Sequence, residues 1–238
     1  MSVYEVKTIE DTIGKIDYVG RGIIAGLTPD GEKAVTAYFI SGRSENSRNR
    51  VFVYRDDALF TEPFDPSKVV DPSLIIYAAV RKTGDKLIVT NGDQTDTIAK
   101  GIENGGDFIG ALRTREFEPD APNFTPRISC EFDFSAGYRY RMSILKSADE
   151  GGGACNRFFY EYAPVAGVGH FISTYERGGN PLPSFTGEPK RIAIVPEPEK
   201  FADSVWNALD PDNRISLFVR YTDLLSGEES DVIINKNK

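Results

Sequence analysis

Residues 41–50 are the part of this 238-residue chain in which residue type and spacing most clearly suggest chemistry. The segment holds three arginines, three serines and two asparagines, and it lies between two apolar runs, 34–40 and 51–54, that are typical of buried strands. The planar guanidinium of arginine matches the oxygens of a phosphate, and serine and asparagine add neutral donors. The alternative is an ordinary solvated hairpin loop. If the segment is an anion site, its candidate ligands are Arg43, Arg48 and Arg50.

Histidine and cysteine limit the other chemistry that the chain can perform. A Ser-His-Asp triad, a Cys-His pair or a histidine-rich metal site would each have to use His170, which is the sole histidine. Cys130 and Cys155 have no partner at metal-ligand spacing, so the sequence argues against an ordinary zinc site. Two cysteines in a chain of this size form no disulfide framework, which predicts a reducing, cytoplasmic location.

The overall composition is that of a soluble globular protein, with 40% hydrophobic and 27% charged residues. The formal net charge of −8 argues against the large basic face of a nucleic-acid-binding protein. It leaves room for a small anionic ligand, because a local arginine cluster acts against the global charge. No stretch has the length and apolar character of a signal peptide or a membrane span, so we expect no membrane partner.

The hydrophobic pattern predicts many strands and few helices. A turn at 28–31 joins two apolar runs into a hairpin over 18–40, and residues 56–73 are predicted to form a loop. An apolar run at 74–80 predicts a buried strand, although periodicity alone leaves a short helix open. Helices are predicted at 95–104, 106–115 and 197–209, and further strands at 51–55, 87–90, 127–134, 138–145, 158–162, 169–175, 192–195, 214–221 and 231–235.

Because the helices fall between blocks of hairpins, this pattern favours an α+β fold with mainly antiparallel sheets and helices packed outside. We see no internal repeat and no linker, so we expect a single domain over residues 1–238.

Six short motifs, taken together, resemble the archaeal-type IMP cyclohydrolase family. They occur in the family's order, and although each alone is weak, six in order are specific. They are Tyr18-Val19-Gly20-Arg21, Ser41-Gly42-Arg43-Ser44 with Asn49-Arg50, Ile76-Tyr77-Ala78, the segment 89–97, Thr125-Pro126-Arg127-Ile128, and Ile172-Ser173-Thr174-Tyr175-Glu176. Beyond residue 176 the resemblance is thin, and the glycine-rich segment 149–154 and the proline-rich segment 177–190 depart from the compact archaeal members.

The resemblance implies a fold and a reaction. The fold is a four-layered αββα sandwich resembling the N-terminal-nucleophile hydrolases, but without their N-terminal nucleophile. The reaction is the closure of 5-formamidoimidazole-4-carboxamide ribotide (FAICAR) to IMP with loss of water, the last step of purine synthesis. It implies no cofactor and no metal, a purine nucleotide as the partner, and a homo-oligomer.

Ring closure requires the carboxamide nitrogen to attack the formyl carbon, so the enzyme must hold the two groups in near-attack geometry. It must also stabilise an oxyanion and supply an acid. In the family a tyrosine at this motif lies at the active site, so Tyr77 is the candidate oxyanion donor. The alternative is a buried tyrosine that merely satisfies its hydroxyl. Glu118 is the candidate acid/base carboxylate, and the alternative there is a solvated acidic loop.

Further residues are candidates for binding the substrate. Arg21 and Arg127 are additional phosphate ligands, although Arg127 also fits a surface salt bridge. Asn91-Gly92 precedes a predicted helix, whose N-terminus suits an anion. The remaining candidates are Asn49 for the base or ribose, Thr95 and Asp96, which also suit helix capping, Thr125, and Tyr175 and Glu176 as second acid/base groups. A catalytic lysine would come from Lys190 or Lys200, between which the sequence does not choose.

Two other functions fit the same residues. The first is a module on the same scaffold that binds purine nucleotides such as AICAR or IMP without turnover. The second is an amide hydrolase of the broader sandwich fold. That hydrolase would need a nucleophile exposed at position 1 by processing, whereas this chain reads Met1-Ser2.

Overall fold

A computed structural model of the chain describes residues 4–69 and 75–237. The described residues form two antiparallel sheets. Sheet A has six strands in the order β11-β10-β1-β2-β12-β13. Its strands are β1 (Arg21–Leu27), β2 (Lys33–Ser41), β10 (Val168–Ser173), β11 (Lys190–Ala193), β12 (Arg214–Asp223) and β13 (Glu229–Asn235).

Sheet B has seven strands that follow one another in chain order, so that each strand pairs with the next through a hairpin or a longer connection. The longest connection, between the sixth and seventh strands of the chain, carries two helices. The strands are β3 (Val51–Arg55), β4 (Ala58–Glu62), β5 (Tyr77–Thr83), β6 (Lys86–Thr90), β7 (Arg127–Asp133), β8 (Arg139–Ser147) and β9 (Cys155–Tyr162).

Helices cover the outer faces of both sheets. The α-helices of the described residues are α1 (Ile9–Thr12), α2 (Glu45–Arg48), α3 (Gln94–Glu103), α4 (Phe108–Leu112) and α5 (Pro198–Ala208). Helices α1 and α5 bury Ile9, Phe201 and Val205 against sheet A. Helices α3 and α4 bury Ile98 and Phe108 against sheet B. The inner faces of the two sheets form a separate buried cluster, so the chain has four layers in the order α, β, β, α.

This layering explains why strand β2, in the interior of sheet A, is mostly apolar. Strand β2 is buried along almost its whole length because the other sheet covers one face and helices cover the other. A strand covered on both faces shows a continuous apolar run and no alternation. The prediction of an α+β fold with mainly antiparallel sheets is confirmed, and the likeness to N-terminal-nucleophile hydrolases stays a prediction.

One sequence prediction is wrong, because strand β4 lies inside the predicted loop 56–73. The turn before it is formed by Asp56 and Asp57, whose φ angles are 45° and 63°. Arg55 pairs with Ala58, so this is a two-residue hairpin turn. Both central residues have positive φ, and Asn-Gly is the usual sequence of such a turn. The start of the predicted strand 74–80 lies at Leu74, outside the described residues, and β5 begins at Tyr77.

The helix predictions also change in detail. The predicted helix 106–115 is shorter, since Asp107 caps α4 through its bond to the Gly110 amide. Two further helices were not predicted: α1 precedes the hairpin 18–40, and α2 lies in the arginine-rich segment 41–50. Over the residues that the structure describes, no helix combines the length and the apolar character needed to cross a membrane.

Candidate active site

A cleft of about 320 Å³ opens where the two sheets present the same end of their strands. Its volume is within the range of small-molecule sites. Sheet A contributes Arg21, the first residue of β1, and Tyr175, just after β10. Arg50 lies just before β3 of sheet B, and Glu118 lies in the connection between α4 and β7. Arg43, in the segment after β2, completes the charged lining, together with Asp120.

The entry of the chain into β1 depends on Gly20, whose φ is +72°. Only glycine adopts this conformation without strain. A Cβ at this position would also lie 2.7 Å from Tyr175 Cδ2. The glycine of the first motif therefore lets the backbone turn closely past Tyr175 and places Arg21 at the cleft.

Arg50 is a buried cation that forms no ion pair among the described residues. It is 6% exposed, and within the described ranges its guanidinium forms no ion pair and its Nε has no hydrogen-bond acceptor. Arg21 also has an unpartnered Nε. Burial and the neighbouring Arg21 cation lower the pKa of Arg50. The charge of Glu118 acts on both guanidinium groups, but neither forms an ion pair among the described residues. Two adjacent cations of this kind favour an anionic ligand, because a buried charge is costly until it is paired.

Glu118 is held beside these arginines by its own loop. Its amide donates to the Thr125 carbonyl at 2.9 Å, and Asp120 accepts from the Thr125 amide at 2.6 Å. The side chain is 3% exposed. Burial raises the pKa of Glu118, although Arg21 and Arg127 act in the opposite direction. A carboxyl group that retains its proton more readily than usual suits a general acid.

Tyr77, the first residue of β5, is 5% exposed and lies two residues after Ile75, which lines the cleft. Its hydroxyl oxygen is 2.7 Å from that of Tyr38, which is fully buried in β2. Tyr77 is among the electrostatic neighbours of both Arg21 and Arg50. A phenol beside two guanidinium groups can donate to a developing oxyanion.

The start of α3 supports Arg127 and Glu118 from behind. Asn91 donates to the Pro126 carbonyl at 2.9 Å and approaches Glu118 Oε1 at 3.5 Å. Gln94 donates to Asn91 at 3.0 Å and accepts from Arg127 at 2.7 Å. Gly92 leaves room for Arg127, because a Cβ there would lie 2.5 Å from Arg127 Nη1. These residues therefore fix the wall that carries Glu118.

An aromatic wall closes the other side of the cleft. The rings of Tyr18 and Tyr175 stack with centroids 5.9 Å apart, and the Arg43 guanidinium lies 4.8 Å above the Tyr18 ring. The hydroxyl of Tyr175 is 2.6 Å from that of Thr125. Arg43 also donates to the Gly179 carbonyl at 3.1 Å, so the proline-rich segment 177–190 packs against the mouth of the cleft. Both sheets therefore meet in one site.

Comparison with known proteins identifies the family of this chain. A family model described as IMP cyclohydrolase-like protein matches residues 18–228. The chain belongs to this family. The match extends past residue 176, so the family model also covers most of the C-terminal third of the chain, in which the motifs are thin.

Curated proteins named IMP cyclohydrolase are similar to this chain. The IMP cyclohydrolase of Methanopyrus kandleri is 32% identical over 162 residues, which are 66% of this chain and 75% of the relative. Those of Methanococcus maripaludis strains C7 and S2 are 32% and 37% identical over 192 and 199 residues, in each case 71% of this chain and 94% of the relative. The resemblance predicted from the six motifs is confirmed.

Several predicted site residues of this family member lie outside the cleft. Arg48 donates to the Gly42 carbonyl and to Asn213, both at 3.1 Å. Asn49 exchanges two hydrogen bonds with the backbone of Asp65. Their side chains hold the arginine-rich segment in place, so their roles in binding stay untested predictions.

Three further candidates have structural partners. Thr95 lies 2.6 Å from the Thr90 hydroxyl in the first turn of α3. Asp96 forms an ion pair with Arg81 at 3.1 Å. Glu176 forms an ion pair with Lys190, one of the two candidate lysines, at 3.3 Å. The other candidate, Lys200, is exposed on α5. None of these residues lines the cleft.

The sequence reasoning missed four residues that shape the site, namely Tyr18, Tyr38, Gln94 and Asp120. Tyr18 stood inside the first motif, two residues before its glycine. Tyr38 carried the same signal as Tyr77, a polar tip in an apolar strand. Among the described residues, no cluster of three histidine, cysteine, aspartate or glutamate side chains is arranged to hold a metal ion.

Proposed function

We propose that this chain is an IMP cyclohydrolase that converts FAICAR to IMP with loss of water. The observation that carries the proposal is that Arg21, Arg50 and Glu118 line one cleft, with Tyr77 as an electrostatic neighbour of both arginines. The family match and the names of the methanogen relatives support it.

The proposed chemistry assigns one task to each group. The carboxamide nitrogen bonds to the formyl carbon, and the formyl oxygen becomes an oxyanion that accepts hydrogen bonds from Tyr77 and the arginines. Glu118 then protonates this oxygen as the C–O bond breaks. The carboxamide N–H and the formamide N–H each lose one proton, and the oxygen leaves with two protons as water.

The outer part of the cleft suits the phosphate of the substrate. Arg43 lies there with Ser44 and Ser47, which also line the cleft. Arg21 and Arg50, deeper in, would then face the reacting end of the molecule. This division assigns the binding of the ribose phosphate to the segment between β2 and β3.

The test is to follow the absorbance change as the purified protein, freed of metals, forms IMP from FAICAR. We expect Glu118→Gln and Tyr77→Phe each to lower kcat about 100-fold or more, since each removes a group that acts mainly in the transition state. Glu199→Gln, on the exposed face of α5, is the matched control and should leave kcat unchanged.

Other outcomes of this experiment identify the alternatives. Tight binding of IMP without any turnover would support the nucleotide-binding module and contradict the enzyme. Amidase activity, together with an N-terminus that lacks Met1 and exposes Ser2 as the nucleophile, would support the amide hydrolase.

We also propose that the enzyme acts in the cytoplasm as a homo-oligomer. Strands β9 and β11 form edges of the two sheets, and Phe158 on β9 is 41% exposed. Exposed strand edges with apolar side chains favour association unless they are covered. Light scattering coupled to size-exclusion chromatography checks the assembly, and a monomeric mass at micromolar concentration would contradict it.

A further inference from the structure

The hydroxyl groups of Tyr38 and Tyr77 form a hydrogen-bonded pair inside the core. Their oxygens are 2.7 Å apart, and either could be the donor from distance alone. Within the described part of the chain, neither hydroxyl has another hydrogen-bond partner. The pair has two protons and one bond between its oxygens, so one proton remains available for a different acceptor.

The surroundings of the two tyrosines decide which proton remains available. Tyr38 is 0% exposed and lies between the two sheets, whereas Tyr77 is 5% exposed at the start of β5. If Tyr77 donated to Tyr38, the proton of Tyr38 would have no acceptor among the described residues, because the neighbouring Arg21 and Arg50 side chains carry donors only. A buried donor without an acceptor costs about 1–3 kcal/mol. The favoured arrangement therefore has Tyr38 as the donor and Tyr77 as the acceptor.

The remaining proton of Tyr77 then lies on the side of the cleft. Ile75, two residues before Tyr77, lines the cleft, and Tyr77 is an electrostatic neighbour of both Arg21 and Arg50. Both arginines line the cleft. Burial also raises the pKa of Tyr38, so its phenol remains a donor throughout the range in which enzymes work.

We propose that Tyr38 is a positioning residue, which donates a hydrogen bond to the oxygen of Tyr77 and thereby directs the proton of Tyr77 to the substrate oxygen. When negative charge develops on the substrate, Tyr77 is polarised and the bond from Tyr38 strengthens. This inference rests on the proposed cyclohydrolase function, because it acts through the oxyanion donor of that reaction.

The test uses Tyr38→Phe, which keeps the ring and removes the hydroxyl. We expect kcat to fall about 10- to 100-fold, as for other residues that orient a catalytic group, with the KM for FAICAR changed less than about twofold. The double variant Tyr38→Phe/Tyr77→Phe should be no slower than Tyr77→Phe alone, because Tyr38 acts through Tyr77. A merely structural role would instead lower the activity of both backgrounds by the same factor.

Tyr140→Phe is the matched control. Tyr140 is an equally buried tyrosine of the same core, but its hydroxyl bonds to His170 Nδ1 at 2.7 Å, outside the cleft. Its kcat should remain that of the wild type. If Tyr38→Phe does not fold, replacement of Tyr38 by 3-fluorotyrosine keeps the shape and strengthens the donor, and activity at or above the wild-type level is expected, whereas a loss would contradict the role.

The outcomes separate the two proposals. Wild-type turnover with an unchanged kcat in Tyr38→Phe, or additive losses in the double variant, would overturn the role of Tyr38 alone. If the wild-type protein forms no IMP from FAICAR, the proposed function fails, and the role of Tyr38 fails with it.

Discussion

Glu118 is a buried carboxyl group whose ionisation is unfavourable, and this has a measurable effect on stability. Burial raises its pKa above the ordinary value of 4.5. Between these two pKa values the folded state binds more protons than the unfolded state, so the free energy of unfolding falls as the pH rises.

We therefore expect the wild type to lose stability relative to Glu118→Gln as the pH is raised above 4.5. The urea midpoints of both proteins, measured between about pH 4.5 and 8, give this difference directly and cancel the contributions of other groups. A difference that does not change with pH would show that Glu118 titrates alike in both states.

We expect Arg50 to lower the stability of the free protein and to strengthen the binding of the nucleotide. As an unpaired buried cation it destabilises the free protein, so Arg50→Met should raise the free energy of unfolding by about 1–3 kcal/mol. The same change should abolish most of the stabilisation that saturating IMP gives to the wild type.

Urea unfolding with and without IMP measures both effects. Arg139→Met is the control, because Arg139 is exposed at the other end of the sandwich and, as far as the structure describes the chain, its side chain makes a single weak hydrogen bond, to the Ala136 carbonyl. Full stabilisation of Arg50→Met by IMP would place the nucleotide elsewhere.

The connection into β1 shows how an element depends on a single glycine. Gly20→Ala should be strongly destabilising, since it adds backbone strain of about 1–2 kcal/mol and a clash with Thr174 and Tyr175, which costs about another 1–3 kcal/mol. It should also lower kcat, because Tyr175 lines the cleft.

Gly31→Ala separates the two causes. Gly31 has a similar φ of +79° but nothing within 4 Å of its Cβ position. The Gly31→Ala variant should therefore lose only the stability that corresponds to the backbone strain, and it should keep its activity. Chemical denaturation and FAICAR turnover of both variants check this, and equal losses would mean that the contact with Tyr175 is unimportant.

The elements themselves were largely predictable from hydrophobic periodicity and turn residues, as in the 18–40 hairpin. Strand β4 was missed because an Asp56-Asp57 turn is a rare sequence for a two-residue hairpin. The site was harder to predict. Residue type pointed to Arg50, which lines the cleft, but it could not show that Arg48 bonds to the Gly42 carbonyl and Asn49 to the backbone of Asp65. Those bonds depend on the folding of the loop, which no short motif encodes.

At the scale of the molecule, the motifs predicted which segments meet but not how the layers are connected. The sequence indicates hairpins without stating that residues before 51 and after 162 form one sheet and the residues between them the other. Such long-range pairing is chosen by burial of the inner faces, which only the complete fold provides.

This arrangement has a consequence for how the protein forms. Every strand of sheet B pairs with its sequence neighbour, so its contacts are local and close early during folding. In sheet A, β2 pairs with β12, which lies about 180 residues later along the chain, so this pairing forms only after β12 is available. During synthesis from the N-terminus, sheet B can therefore assemble while β10 to β13 are still missing. Arg50, Tyr77 and Glu118 would already be present, but Tyr175 would not yet close the cleft. The nascent chain can thus complete its binding cleft only after the segment that follows sheet B has been synthesised.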